Sequence, residues 1–316
     1  MFMDKESLEL AAHAKINLYL EVLGKRENGY HDLRSVVVPV SLHDTIILEP
    51  ADTIETVFDE VDLPPGGCTC LPDSDSNLTT RAARALKEAT GYPGGVRIRI
   101  SKRIPLGGGL GGGSADAAAV LRGLVDLWGI TLPHDELMAL GASLGCDIPA
   151  LLHGGAVLME GVGERVSSFE LGYPDTPDGK WWLVIANPGF CVATADVYAR
   201  HDLSLTSEAP LYINAVSALE EGDLFSAGQG LFNSLQATVV RKYPLVGMVV
   251  DQLDQAGALG ALMSGSGASV FGLARDEAHA ESMAATVKQE LDGTVWTQVV
   301  TLLPDGVMAA HGPLTP

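Results

Sequence analysis

Apolar and polar residues alternate strictly over Ala14–Val22, with Ile16, Leu18, Leu20 and Val22 on one face and Lys15, Asn17, Tyr19 and Glu21 on the other. A period of two predicts a half-buried strand, because successive side chains leave a strand on opposite faces. Asn28-Gly29 marks a tight turn, and Val36–Val40 with Thr45–Leu48 supply more strand. Residues 64–76, dominated by Pro, Gly, Ser and Asp, read as a surface loop. The period becomes helical over Asn77–Thr90, where Leu78, Ala82, Ala85, Leu86 and Ala89 share a face. Residues 96–104 alternate again, with Arg97, Arg99 and Ser101 outward, and run through Pro105 into a cluster of glycines at 107–113.

Ser114 then opens a helix whose apolar face is Ala117, Val120, Leu121, Leu124 and Trp128. A second helix is expected over Asp135–Leu144, stopping at Gly145, with Gly145–Pro149 as a short turn and a Gly-rich segment after it. Beyond a polar loop at 172–180, WWLVIANPG reads as a buried strand. Helices follow near Ala215–Glu221, Phe232–Arg241 and Leu245–Ala256, then strand-like ALMSGSGASVFGLA, helix Glu277–Leu291 and strand VWTQVVTLL. This order predicts an α+β fold, with sheet on one side and helices on the other. At roughly 100–200 residues per domain, the 316-residue chain accommodates two, divided between residues 165 and 180.

Composition narrows the function. The formal charge is −20, which argues against a nucleic-acid binder that must neutralise phosphates with Lys and Arg, and against adsorption to anionic lipid. The deficit is concentrated: residues 1–103 carry 12 Lys+Arg and 16 Asp+Glu, whereas residues 104–316 carry 8 and 24. Cys68, Cys70, Cys146 and Cys191 are too scattered for a disulfide scaffold, and Cys68-Thr69-Cys70 is a weak metal motif. With no apolar leader at the N-terminus and no spanning run, a cytoplasmic location is expected. Glycine is in excess, 36 residues against a usual share of about 7%.

Those glycines gather where chemistry is expected. PLGGGLGGGSADAAAVL joins an alternating strand to an Ala-rich helix. Glycine backbone approaches a ligand closely, and N–H groups at a helix start converge on an anion, so the pattern reads as a phosphate cradle rather than a flexible linker. Ser114 either caps the helix or reaches a phosphate or its metal. The loop contains G-x-G-x-x-G at Gly107, Gly109 and Gly112, but Arg97 and Arg99 on an exposed face, and GITLP where an acidic residue is due, argue against a Rossmann dinucleotide site. G-x-x-x-x-G-K-[ST] is absent.

PLGGGLGGGSADAAA resembles the second motif of the GHMP kinases, and AKINLYLEV, LGCDIP at 144–149 and SGSGASVFG at 264–272 agree with that family in order and spacing. The resemblance implies a two-domain fold: an N-terminal ribosomal-S5-like nucleotide domain over residues 1–170 and a C-terminal ferredoxin-like α/β-plait domain over 171–316. It also implies ATP with Mg²⁺ as phosphoryl donor. AKINL followed by NGYHDL is similar to members that phosphorylate the 2-hydroxyl of a cytidine-diphosphate-linked methylerythritol in non-mevalonate isoprenoid synthesis. The implied partners are that small molecule and ATP, with no nucleic acid and no membrane, in a monomer or weak homodimer.

Residue by residue, the resemblance matches Lys15 and Asp147 to the catalytic Lys and Asp, and Asn17 to a group positioning the acceptor. Without it, Lys15 reads as a solvated charge and Asp147 as a turn former. Tyr30 and His31 match the cytidine-binding pair, Tyr198 an aromatic residue on the opposite face of the base, and Thr194 a contact to the diphosphate. Unaided, His31 on a hairpin reads as a surface histidine. The resemblance lays adenine near Asn77, Leu78 and Lys102, and triphosphate over Pro105, Leu106, Gly107, Gly108, Gly109, Leu110, Gly111, Gly112, Gly113 and Ser114, with Ser114 a candidate metal ligand. Lys102 and Arg103 read equally as a solvated strand end. FNSLQ at 232–236 departs from the acidic version of relatives, in a segment expected to be structural. Two rivals remain: another GHMP specificity, of homoserine or mevalonate type, and a non-catalytic nucleotide-binding protein on the same scaffold.

Overall fold

The computed structural model describes residues 7–64, 67, 70–201 and 211–304. Strands β1 (Leu8–Lys25), β2 (His31–Ala51), β3 (Ile54–Val61) and β4 (Gly95–Lys102) form one sheet with β5 (Val157–Gly161) and β6 (Arg165–Ser168). Helices α1 (Leu78–Thr90) and α2 (Gly112–Leu127) pack on it, burying Ala82, Leu86, Ala117, Leu121 and Leu124 against Ile46, Leu48, Ile98 and Ile100. Helix α3 (His134–Leu144) leads through Gly145 to α4 (Ile148–His153). The second sheet has the order β11-β7-β10-β9, from β7 (Trp182–Asn187), β9 (Gly260–Met263), β10 (Val270–Leu273) and β11 (Trp296–Thr301). Its helices are α5 (Thr194–Arg200), α6 (Tyr212–Glu221), α7 (Leu224–Gln229), α8 (Gln236–Lys242), α9 (Pro244–Gln255) and α10 (Glu277–Glu290). The α+β organisation expected from the sequence is present.

The two sheets share a core. Ile16 and Leu18 of β1 pack in one cluster with Leu183, Ile185 and Phe271 of the second sheet. A two-residue strand, β8 (Phe232–Asn233), leaves the second half of the chain and pairs in parallel with Tyr19–Leu20 of β1. The half-buried reading of Ala14–Val22 is corrected, because its polar face is covered as well. Lys15 and Asn17 bond Gly109 and Ser264, Tyr19 packs on Tyr212 and Phe232, and the three are 3%, 1% and 1% exposed.

Other expectations shift for identifiable reasons. The helix expected over Phe232–Arg241 begins only at Gln236, because the Asn233 side chain donates to the carbonyls of Met263 and Gly265 and draws Phe232–Asn233 into the sheet. The region after Gly145 is more regular than its glycines imply, holding α4, β5 and β6. Val36–Val40 and Thr45–Leu48 are parts of one strand. The helix expected at Ser114 starts at Gly112, capped by Gly111 in the left-handed region at φ 71°, and the Ser114 side chain caps nothing. Among the described residues Cys70 and Cys146 are free thiols, and the Cys191 thiol donates to the Leu106 carbonyl (3.1 Å); Cys68 lies outside them.

Candidate active site between the glycine loop and the second sheet

A cavity of about 790 Å³ opens where the β4–α2 loop, β1, the β1–β2 hairpin, α5 and the Ser264–Ser269 turn converge. Its walls contain Lys15, Asn17, Tyr30, His31, Leu78, Lys102, Pro105, Leu106, every residue from Gly107 to Ser114, Asp147, Thr194 and Tyr198. Asn77 alone of the residues singled out in the sequence is not in that wall. Its carboxamide oxygen accepts from the Thr79 backbone N–H (3.0 Å) and hydroxyl (2.8 Å), so the side chain caps α1 and is taken up there.

Lys15 is the hub. Its backbone N–H donates to the Leu110 carbonyl (2.9 Å), which binds β1 to the glycine loop. Its ammonium donates to Asn17 Oδ1 (2.7 Å) and the Gly109 carbonyl (3.2 Å), and stands 3.5 Å from an Asp147 carboxylate oxygen. Two hydrogen bonds and one ion pair thus hold an ammonium that has only donors. Asp147 sits just ahead of α4, its side chain one-third exposed toward the cavity. Ser264 Oγ donates to the same Gly109 carbonyl (3.1 Å) and accepts from Asn17 N–H (3.4 Å), so residues from three distant motifs share one carbonyl. Gly109 has φ 77°, and a Cβ there would strike the Ser264 carbonyl; no other residue fits.

The glycine loop delivers the start of α2 to the cavity. Gly112, Gly113 and Ser114 form its first turn, where backbone N–H groups have no intrahelical acceptor and the helix dipole favours an anion. Beneath that turn Lys102 is 2% exposed, held between Asp44 and Asp116 (2.7 Å to the latter). A solvated strand end is therefore ruled out for Lys102, though Arg103 is exposed. Asp44 also accepts from the backbone N–H of Arg103 (2.6 Å) and Ile104 (2.9 Å), clamping the exit of β4 into the loop.

Two carboxylates around one buried ammonium leave a surplus negative charge. Burial, with the charge of Asp44 adding to it, pushes the Asp116 carboxyl up to about 7. A carboxyl raised on folding holds its proton more tightly when folded, so its contribution to stability falls between about pH 4 and pH 7 and the deficit is complete above. Asp116→Asn keeps an acceptor for Lys102 and never ionises. Its stability relative to the wild type will rise between about pH 5 and about pH 8, read from urea midpoints at each. An equal offset at both values rules this titration out.

At the other end of the cavity, His31 and Tyr198 place their rings 5.2 Å apart, and Tyr30 is 57% exposed at the rim. Tyr198, expected on the opposite face of a base from the Tyr30–His31 pair, thus touches His31 directly, because α5 packs back on the hairpin. Burial and the neighbouring Lys25 charge lower the His31 pKa, favouring the neutral imidazole, which both donates and accepts. Burial first, then the charge of Asp147, raises the Tyr198 pKa, so it stays a phenol. The Thr194 hydroxyl bonds Ser266 Oγ (2.8 Å) across the cavity wall. Cys146 lines the cavity beside Asp147, but burial and that charge raise its pKa, the reverse of what a reactive thiolate needs.

The description "GHMP kinases N terminal domain" fits residues 77–155, and "GHMP kinases C terminal" fits residues 215–293. The chain is 37% identical over 277 residues to 4-diphosphocytidyl-2-C-methyl-D-erythritol kinase of Alkaliphilus metalliredigens, covering 88% of this chain and 91% of that one. The chain belongs to the GHMP kinase family. The protein of the same name from Symbiobacterium thermophilum is 41% identical over 270 residues, 85% of this GHMP kinase and 91% of the relative. A crystal structure of 4-(cytidine 5'-diphospho)-2C-methyl-D-erythritol kinase superposes with a TM-score of 0.75 at 35% identity, covering 93% and 99% of the two chains. Membership makes ATP the phosphoryl donor and a small molecule the acceptor.

Several wall and support residues of this GHMP kinase escape sequence reasoning. Lys25 lines the cavity directly opposite His31 across the hairpin and, among the described residues, forms no ion pair. Its only sequence signal is its place at the end of an alternating strand. Ser266 is recognisable only as part of a Ser-Gly turn, whereas Asp44 carries a signal: one acid set among the apolar residues of VSLHDTIIL. Among the described residues no helix is long and apolar enough to cross a membrane.

Proposed function

We propose that this protein transfers the γ-phosphoryl group of ATP to the 2-hydroxyl of 4-diphosphocytidyl-2-C-methyl-D-erythritol, giving the 2-phosphate and ADP, a step of non-mevalonate isoprenoid precursor biosynthesis. One observation carries this reading: the Lys15–Asp147 pair and the His31–Tyr198 aromatic cluster occupy one cavity, roofed by the glycine loop. A proton acceptor, a cation and an anion cradle equip it for phosphoryl transfer to an alcohol; the aromatic cluster equips it to hold a base.

In this reading Asp147 accepts the acceptor's hydroxyl proton as the new O–P bond forms and the bond to ADP breaks. Lys15, 3.5 Å from the Asp147 carboxylate, holds it in place and offsets charge on the transferred group. The first turn of α2 and the glycine loop bind the triphosphate, beside Leu78 and Lys102 for the adenine. His31, Tyr30 and Tyr198 hold the cytosine, while Thr194 and Asn17 orient the rest of the acceptor. Magnesium, when bound with the nucleotide, would offset the charge of the phosphates. Among the described residues no cluster of three or more acidic, His or Cys side chains stands ready for a metal. The Ser114 hydroxyl, in the cavity wall at the start of α2, is the candidate protein ligand. The reading includes a cytoplasmic location, a monomer or weak homodimer, and domains divided near residue 170.

ADP release measured with the cytidine compound beside erythritol, homoserine and mevalonate tests it. Turnover is expected with the cytidine compound. Turnover with homoserine or mevalonate alone reassigns the specificity, and no turnover with any acceptor favours the non-catalytic rival.

A further inference from the structure

Lys15 depends on Asn17, and Asn17 depends on a residue that touches neither the cavity nor the reacting groups. The Ser35 hydroxyl, on β2 and fully buried, donates to the Tyr19 carbonyl at 2.7 Å. It does so where the β1–β2 register slips between Asn17 and Tyr19, an irregularity that takes this stretch out of plain ladder pairing. A hydroxyl has one proton, and that bond commits it, so Ser35 Oγ turns a lone pair toward the Asn17 side chain. Asn17 Nδ2 donates to it at 2.8 Å, which leaves Asn17 Oδ1 facing the Lys15 ammonium at 2.7 Å. The polarity of the chain is therefore fixed from end to end: Tyr19 carbonyl, Ser35 hydroxyl, Asn17 amide, Lys15 ammonium. Were the amide turned over, its NH₂ would face an ammonium that has only donors.

We infer that Ser35 is a positioning residue for phosphoryl transfer, orienting the Asn17 amide so that Lys15 is held against Asp147. The inference rests on the kinase reading above. Loss of the Ser35 oxygen leaves a buried amide without an acceptor and frees it to rotate, and Lys15 then loses the shortest of its three contacts. Nucleotide affinity depends on the glycine loop and α2, which Ser35 does not touch, so the effect falls on turnover and not on ATP binding.

The test compares Ser35→Ala, Ser35→Cys and Ser35→Thr in the full chain. Ala and Cys should each lower kcat by about tenfold with KM for ATP within about twofold, whereas Thr, which keeps the oxygen, should restore it. Cys fills the serine's space but is a weak acceptor. A Cys variant as active as the wild type would mean that Ser35 only fills space, and would overturn the inference. So would a kcat within about twofold of wild type for Ser35→Ala. In an Asn17→Ala background Ser35→Ala should cost nothing further; a full second fall also overturns it. If Ser35→Ala does not fold, shown by circular dichroism and melting, the Cys–Thr comparison still decides.

A separate readout needs no acceptor. The Asn17 side-chain amide protons should exchange slowly with solvent in the wild type, and fast in Ser35→Ala or, should that not fold, Ser35→Cys. Equal rates overturn the inference. Failure of the wild type to turn over the cytidine compound counts against the acceptor reading alone, and the exchange measurement then judges Ser35.

Discussion

Asp147→Asn will lower kcat by about 10²–10⁴-fold while leaving ATP affinity unchanged or slightly tightened. Asparagine keeps the size of the side chain and an acceptor for Lys15, but it takes up no proton. The acceptor alcohol must then lose its proton to water, without a positioned base. ATP binding has no reason to suffer, because the substitution removes a negative charge from a cavity that receives a triphosphate. Lys15, 3.5 Å away, is relieved of its ion pair at the same time. Coupled ADP release gives the first quantity and fluorescent-nucleotide titration the second. Lys15→Ala should also abolish most turnover, but with weaker nucleotide binding, since a cation is lost. If Asp147→Asn retains near-wild-type turnover, Asp147 is not the base.

The second large effect concerns stability. Asp44→Ala should destabilise the fold by about 1–3 kcal/mol for each buried donor it strands, several kcal/mol in all, although Lys102 keeps Asp116 as its counter-charge. Asp44 has no solvent exposure and satisfies three donors: Lys102 and the backbone N–H groups of Arg103 and Ile104. Alanine leaves all three short of an acceptor. Asp44→Asn, which keeps an acceptor oxygen but loses the charge, should fall between alanine and wild type. Urea unfolding measures both, and a midpoint for the alanine variant equal to the wild type's would falsify the clamp. Because Arg103 and Ile104 lead straight into Pro105 and the glycine loop, the same variant should raise KM for ATP under conditions where it is still folded.

Much of the site was legible because its parts are local. The glycine cluster, the Lys15–Asn17 spacing and the aromatic pair at Tyr30–His31 are contiguous patterns, and each lies in the cavity wall. Asn77, which the resemblance lays near the adenine, also stands where an N-cap precedes a helical period, and its side chain caps α1. What stayed hidden depends on partners far along the chain. Nothing near Lys102 signals that Asp44 and Asp116 enclose it, and nothing near Ser35 signals that it faces Asn17. Strand β8 is two residues long, too short for any period, and a tertiary contact makes it a strand. The polar face of Ala14–Val22 looked solvated for the same reason: a period of two reports which residues share a face, not whether something covers it.

Strand β8 also bears on when the enzyme becomes an enzyme. Tyr19 and Leu20 leave the ribosome about 210 residues ahead of their neighbours Phe232 and Asn233. At about 5–20 residues per second the wait is on the order of 10–40 s. Until then one edge of β1 at Tyr19–Leu20 lacks its partner, and Asn233 is not there to hold Gly265 close to Lys15. A nascent or truncated chain ending before residue 232 therefore carries the glycine loop, Lys15 and Asp147 but not Gly265 and Ser266 of the cavity wall. Completion of the cavity wall thus waits for the second half of the chain, and until then the edge of β1 at Tyr19–Leu20 is open to pairing with another strand.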